Sequence, residues 1–170
     1  MITIQHSINS AIVYADAIDP EKDILKMAVV ERHKNTGHIG IGYLQGYGLK
    51  EGAVATSVSH DSHNIICVGC NDEDMAFAVN RIAENKGGIV VVKDGAVVAE
   101  LPLEIAGLMS SKPLVEVNDL LENAKAAAYA LGVGTGIDPF MTLSFMALPV
   151  IPTVRLTTRG VVDVITQQYI

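Results

Sequence analysis

Only two of the 170 residues are cysteine, Cys67 and Cys70. Two thiols cannot make a disulfide framework of any size, and they fit a reducing compartment. No apolar run reaches the roughly 20 residues that a membrane-crossing helix needs. The opening residues, Met1-Ile2-Thr3-Ile4-Gln5-His6, lack a basic stretch followed by an apolar one, so no secretory signal is expected and the cytoplasm is the expected location. Basic side chains are also scarce. Twelve Lys and Arg against nineteen Asp and Glu leave a net charge of -7. That balance disfavours binding to nucleic-acid phosphates and to an anionic membrane surface. Charged residues are 18% of the chain and hydrophobic ones 49%. So apolar a composition suggests that part of the surface is covered, by another subunit or by a second copy in a homo-oligomer.

Several catalytic signatures are missing as well. There is no H-E-x-x-H and no G-x-S-x-G, and the H-x-E with a following P-C-x-x-C of a cytidine-deaminase zinc site is absent. Glycine is dense from Asn35 to Gly52 and again in Gly132-Val133-Gly134-Thr135-Gly136, but neither run has dinucleotide spacing or a P-loop ending.

What is present reads as one domain over residues 1–170, with no repeat and no low-complexity linker. A chain of this length buries about 70% of the surface it exposes when unfolded. Ile8 to Val13 reads as extended, Asp19 to Asp23 as a turn, and Lys26 to Val30 as a strand that delivers Arg32-His33 to its end. Asn35 to Gly52 reads as a loop or a short helix with close backbone packing. Ala53 to Ser59 and Asn64 to Val68 are β-rich runs around the short polar connector His60-Asp61-Ser62-His63, which is expected at a strand end. Asn71 is a good N-cap, and Asp72, Glu73 and Asp74 suit a first helical turn. Met75, Val79, Ile82 and Ala83 form the apolar face of that helix, which Gly87-Gly88 ends.

Lys93-Asp94-Gly95 predicts a hairpin between Ile89–Val92 and Ala96–Leu101. A further helix is expected from Asn118 to Leu131, with Leu120, Leu121, Ala124, Ala128 and Leu131 inward and Gly132 stopping it. Phe140 to Asp163 reads as strand-like pieces broken by Pro149 and Pro152. The sum predicts an α+β fold: a mixed or antiparallel sheet with hairpins, and two or three helices packed on it.

The run His60-Asp61-Ser62-His63-Asn64 packs two imidazoles, a carboxylate and an amide into five positions. Imidazole and carboxylate move protons near neutral pH and bind divalent metals, and an amide holds a ligand edge through its paired donor and acceptor. The competing reading is a plain turn, with Asp61 and Asn64 bonded to backbone and the histidines solvated. His60, His63, Cys67 and Cys70 could in principle gather around zinc, but their spacing departs from the usual pairing. Cys67 and Cys70 would also fall on opposite faces of a continuing strand. Two small buried hydrophobes are the favoured account of the thiols. Arg32-His33 and Asp138-Pro139-Phe140 are the other polar candidates.

Five stretches resemble the C-terminal domain of bacterial adenine deaminases. They are Glu31-Arg32-His33 with the glycines to Gly52, Ala55 to Asn64 with Gly69, Gly87-Gly88 to Gly95, Ile105-Ala106-Gly107-Leu108-Met109-Ser110, and Pro139 to Phe145 with Leu148 to Pro152. They run in family order from about Lys26 to Val164. Glu104 stands where a proline is expected, Thr157-Thr158-Arg159-Gly160 departs from the usual acidic form, and Cys67 and Cys70 lie outside the pattern. The resemblance implies hydrolysis of adenine to hypoxanthine and ammonia by a metal-activated hydroxide at purine C6. It implies that the metal, manganese or iron, sits in an amidohydrolase barrel preceding this domain, first held by a His-x-His pair. This chain has no His-x-His and is shorter than a barrel of about 250 residues. It is therefore expected to bind no metal or other cofactor itself and to supply no confident catalytic residue. The barrel, as a domain or a subunit, is its expected partner, with adenine a candidate ligand; the alternative is a stand-alone purine-binding or structural oligomerisation module without catalysis. His60, Asp61, His63, Asn64, Arg32 and His33 are expected to shape or close the purine site or to hold the interdomain contact.

Overall fold

The computed structural model describes residues 2–3 and 17–170. The extended reading of Ile8 to Val13 lies outside the described residues. Among the described residues, ten strands and three α-helices follow one another: β1 (Ile2–Thr3), β2 (Leu25–Val30), β3 (Ile39–Gln45), β4 (Ala53–Thr56), β5 (Ile65–Gly69), α1 (Asp72–Glu84), β6 (Gly88–Lys93), β7 (Ala96–Pro102), α2 (Leu114–Ala130), α3 (Pro139–Met146), β8 (Val154–Thr157), β9 (Gly160–Asp163) and β10 (Gln168–Tyr169). The main sheet has the order β1-β3-β2-β5-β4-β6-β7, and β10-β9-β8 form a small second sheet. All neighbours in the main sheet are antiparallel except β1, which runs parallel to β3. The fold is α+β with a mixed sheet.

Strand alternation sends side chains to two different cores. Met27, Val29, Val54, Ile66, Val68 and Val91 face one side, where α2, α3 and the small sheet cover them with Ala124, Ala128, Leu143, Val154 and Leu156. Ala28, Ala53, Ala55, Cys67, Val90 and Val92 face the other side, under Met75, Ala78 and Ile82 of α1. β4 and β5 are buried on both faces, which explains their unbroken apolar sequence. Cys67 belongs to the core under α1. Cys70, just past the end of β5, packs on the opposite core. The two thiols are free, and burial pushes both up, Cys70 to about 11.

The helix caps follow the side chains. Asn71 Oδ1 accepts the Asp74 N–H at 2.7 Å and starts α1. The inward face of α1 uses Ala78 rather than Ala83, which is exposed, because the helix rolls the 75–78–82 stripe onto the sheet. Asp94 and Gly95, at φ 52° and 71°, make the two-residue turn between β6 and β7. The inner stripe of α2 holds Ala124, Ala128 and Leu131 with Leu120 and Leu121 partly buried, but the helix begins at Leu114, four residues before the expected start. Pro113 fixes the entry, and Leu114 and Glu116 are good helix formers that outweigh the mild penalty of Val115 and Val117.

Two expectations are corrected. The glycine-rich run is neither loop nor helix over Ile39–Gln45: it is β3. Gly40 and Gly42 are where the small sheet lies against β3. A Cβ on Gly40 would fall 1.8 Å from the Thr157 carbonyl oxygen, and one on Gly42 would touch Val161 and Leu156. The glycines therefore mark a close crossing of two sheets. The expected strand at Phe140 is α3. Asp138 caps it, its carboxylate accepting the N–H of Phe140 at 3.0 Å and of Met141 at 2.9 Å, and Pro139 occupies the first turn.

Candidate functional site

β4 and β5 pair from Ala53↔Gly69 to Thr56↔Ile66, so the eight residues from Ser57 to Asn64 project from one end of the main sheet. His63 N–H donates to the Ser59 carbonyl at 2.7 Å and closes the tip. His63 sits at φ 49°, in the left-handed region that costs an ordinary side chain energy. Asp61 is exposed, 3.7 Å from His60 Nδ1. The His60 ring lies over Phe145 of α3, with centroids 5.2 Å apart and planes 21° apart. The His60 backbone N–H meets the Ser144 hydroxyl oxygen at 3.3 Å.

Arg32 and His33, carried past the end of β2, fasten this turn from the side. The Arg32 N–H donates to Asn64 Oδ1 at 3.2 Å, and Nε donates to the His63 carbonyl at 2.8 Å. Nη2 reaches the Ala106 carbonyl at 2.9 Å. His33 Nε2 lies 2.6 Å from the Ser62 carbonyl oxygen, which accepts from the Nε2–H tautomer of the ring. Burial holds the Arg32 guanidinium below its ordinary value. Glu31 turns away and accepts backbone N–H groups of Thr36, His33 and Lys34, which hold its carboxyl at about 2.

All six candidates, Arg32, His33, His60, Asp61, His63 and Asn64, thus converge. So do segments that the sequence leaves far apart. Ala106 and Gly107, at φ 56° and 74°, form a tight loop closed by Ile105 and Met109 bonding to each other. Gly107 lies flat under the Arg32 guanidinium: a Cβ there would fall 2.5 Å from Nη1. Ser57 Oγ donates to the Gly107 carbonyl at 2.6 Å and accepts the Gly88 N–H at 2.8 Å. Beside the turn opens a cleft of about 400 Å³, with Asp61, Ser62 and Asn64 on one side and Leu148, Pro149, Val150, Thr157 and Thr158 opposite.

The arrangement suits recognition better than metal binding. Among the described residues, no group of three or more His, Cys, Asp or Glu side chains gathers to hold an ion. The His60 and His63 ring centres are 6.2 Å apart, and Asp61 points to solvent. These residues do not fit a manganese or iron site.

Residues 2–168 match the family model described as the adenine deaminase C-terminal domain. The chain belongs to that family. It is 56% identical over 146 residues to the adenine deaminase of Brucella anthropi, covering 86% of this chain and 26% of that protein. It is 53% identical over 147 residues to adenine deaminase 1 of Rhizobium meliloti, covering 86% and 26%. It is 53% identical over 151 residues to the adenine deaminase of Listeria welshimeri, covering 88% and 26%. The chain therefore spans about a quarter of the length of these relatives.

The stretches that carried the family resemblance are the ones that meet here. Its departures have local accounts. Glu104, where proline was expected, accepts the Ser111 N–H at 2.9 Å and the Ser111 hydroxyl, and these bonds hold its carboxyl at about 2. It clasps the two ends of the 105–110 loop. Thr157 to Gly160 is the β8–β9 turn, and its two threonines wall the cleft. Sequence reasoning passed over Ser57 and Phe145 as site residues. A serine at the end of an apolar strand-like run was the available signal for Ser57. Phe145 needed α3, which an apolar run read as strands could not provide.

Proposed function

We propose that the chain acts as the C-terminal domain of an adenine deaminase, within a longer polypeptide or as a separate subunit, in the conversion of adenine and water to hypoxanthine and ammonia. In this reading the metal, manganese or iron, belongs to an amidohydrolase barrel, and the chain is inactive without it. The 60–64 turn, with Arg32 and His33, faces that barrel and closes or shapes the purine site. The cleft beside Asn64 is where adenine would touch this chain.

One observation carries the reading. Four separated stretches spend a strained His63, the Arg32 guanidinium and a stacked His60–Phe145 pair on one rigid end of the sheet, and functional sites are where proteins keep such strain. The assembly is cytoplasmic in this reading. Ile39 and Ile41, exposed on β3 at 55% and 57%, support a homo-oligomer.

The test supplies the preceding three quarters of the Brucella anthropi enzyme with and without this chain fused behind it. The fusion is expected to deaminate adenine. His60→Ala or Asn64→Ala in it is expected to slow turnover on the order of ten- to a hundredfold, as loosened positioning does. Equal rates with and without the chain would contradict the proposal.

A further inference from the structure

Eleven residues run from Ile105 to Val115, and four of them expose large apolar side chains: Ile105 at 43%, Met109 at 57%, Leu114 at 82% and Val115 at 72%. Exposed apolar residues scattered singly need no explanation, but a cluster does. This cluster is also held rigid. Ile105 and Met109 bond to each other across the loop, Arg32 and Ser57 grip its Ala106 and Gly107 carbonyls, and Glu104 ties its start to Ser111. Ala106 keeps a left-handed backbone that a loop free to relax would abandon. Buried Ser57, half-buried Arg32 and exposed Glu104 are thus used to present apolar side chains to the outside, the reverse of what a loop folded only for its own stability would do.

The Arg32 guanidinium, which also bonds His63, places this loop beside the 60–64 turn. Lys112 and Glu116 pair with each other at the rim, with Glu104 nearby, so the apolar centre has a polar border. That is the anatomy of an interface.

We propose that Ile105, Met109, Leu114 and Val115 form the docking surface for the amidohydrolase barrel that the functional reading above places before this domain. The inference rests on the functional reading above and names where the two parts meet. Its size selects the occupant. Four side chains expose on the order of a few hundred Å², well short of the roughly 1,000 Å² or more per partner that obligate dimers bury. A domain in the same polypeptide needs far less, because tethering holds it at an effective concentration near millimolar, and interdomain contacts are modest. The relatives have about three quarters of their length outside the matched region to place against this chain.

Methionine oxidation reads the contact directly. The free chain and the fusion to the preceding part of the Brucella anthropi enzyme are exposed to dilute hydrogen peroxide, and sulfoxide at Met109 is followed by mass spectrometry, with buried Met27 as internal control. Met109 is expected to oxidise about tenfold more slowly in the fusion. Leu114→Asp, at an exposed position that should leave the urea midpoint unchanged, is expected to restore the fast rate. Equal Met109 rates in free chain and fusion would overturn the proposal. So would protection that grows with concentration of the free chain and does not increase in the fusion, which would assign the surface to a second copy. Adenine turnover by the same fusion reports separately. An active fusion with unprotected Met109 sinks this docking surface alone. Protection in an inactive fusion upholds the surface and sinks the functional reading.

Discussion

Arg32 joins three chain segments through side-chain bonds to the His63 and Ala106 carbonyls and a backbone bond to Asn64. Hydrogen bonds from a charged group contribute about 1.5–3 kcal/mol. Arg32→Ala is therefore expected to cost about 2 kcal/mol, read as a lowered urea midpoint, and to speed amide exchange in residues 105–110 more than in β4. Arg32→Lys should recover little of this, because an ammonium cannot span both carbonyls as the guanidinium fork does. A wild-type midpoint in Arg32→Ala would refute the role. Glu104 adds a pH dependence. Its folded carboxyl sits at about 2, below the ordinary glutamate value of 4.5. Its stabilising effect is thus complete above the unfolded pKa and is lost as pH falls from there towards 2. Amide exchange at Ser111 should accelerate through that window, and Glu104→Gln should flatten the response.

Among the elements, α3 depends most on one residue. Asp138 caps it twice and also pairs with Lys125 at 3.2 Å. Asp138→Ala is expected to destabilise the fold by about 1 kcal/mol and to loosen Phe145 from His60, visible as a changed His60 ring shift in NMR. The Asp-Pro pair was readable as a helix start in the sequence. It was missed because Phe140 to Met146 is apolar on nearly every side, and without a periodic polar face a buried helix and a buried strand look alike. α1 was legible for the opposite reason: Asn71, three acidic residues and a one-sided stripe all agreed. β3 was illegible because Gly40 and Gly42 answer to a sheet that crosses over them, a contact made by residues more than a hundred positions later. Gly40→Ala drives a methyl towards the Thr157 carbonyl and is expected to cost at least about 1–3 kcal/mol in the urea midpoint.

At the scale of the molecule, the candidate residues were legible and their assembly was not. The 60–64 turn stands out by composition, and the strands around it place it at a sheet end. Its links to Ala106 and Phe145 depend on long-range packing that no local pattern records. Two cores on either side of one sheet make a stiff body with its polar network at one end, and the family relationship says that such a body normally accompanies a much longer chain. In the function proposed above, this chain depends on a partner for catalysis. The most direct measurement is hypoxanthine formation by the purified chain alone, with manganese or iron(II) and excess adenine. The expected result is no turnover. Turnover that His60→Ala or His63→Ala abolishes would show that the chain carries its own active centre and would contradict the account.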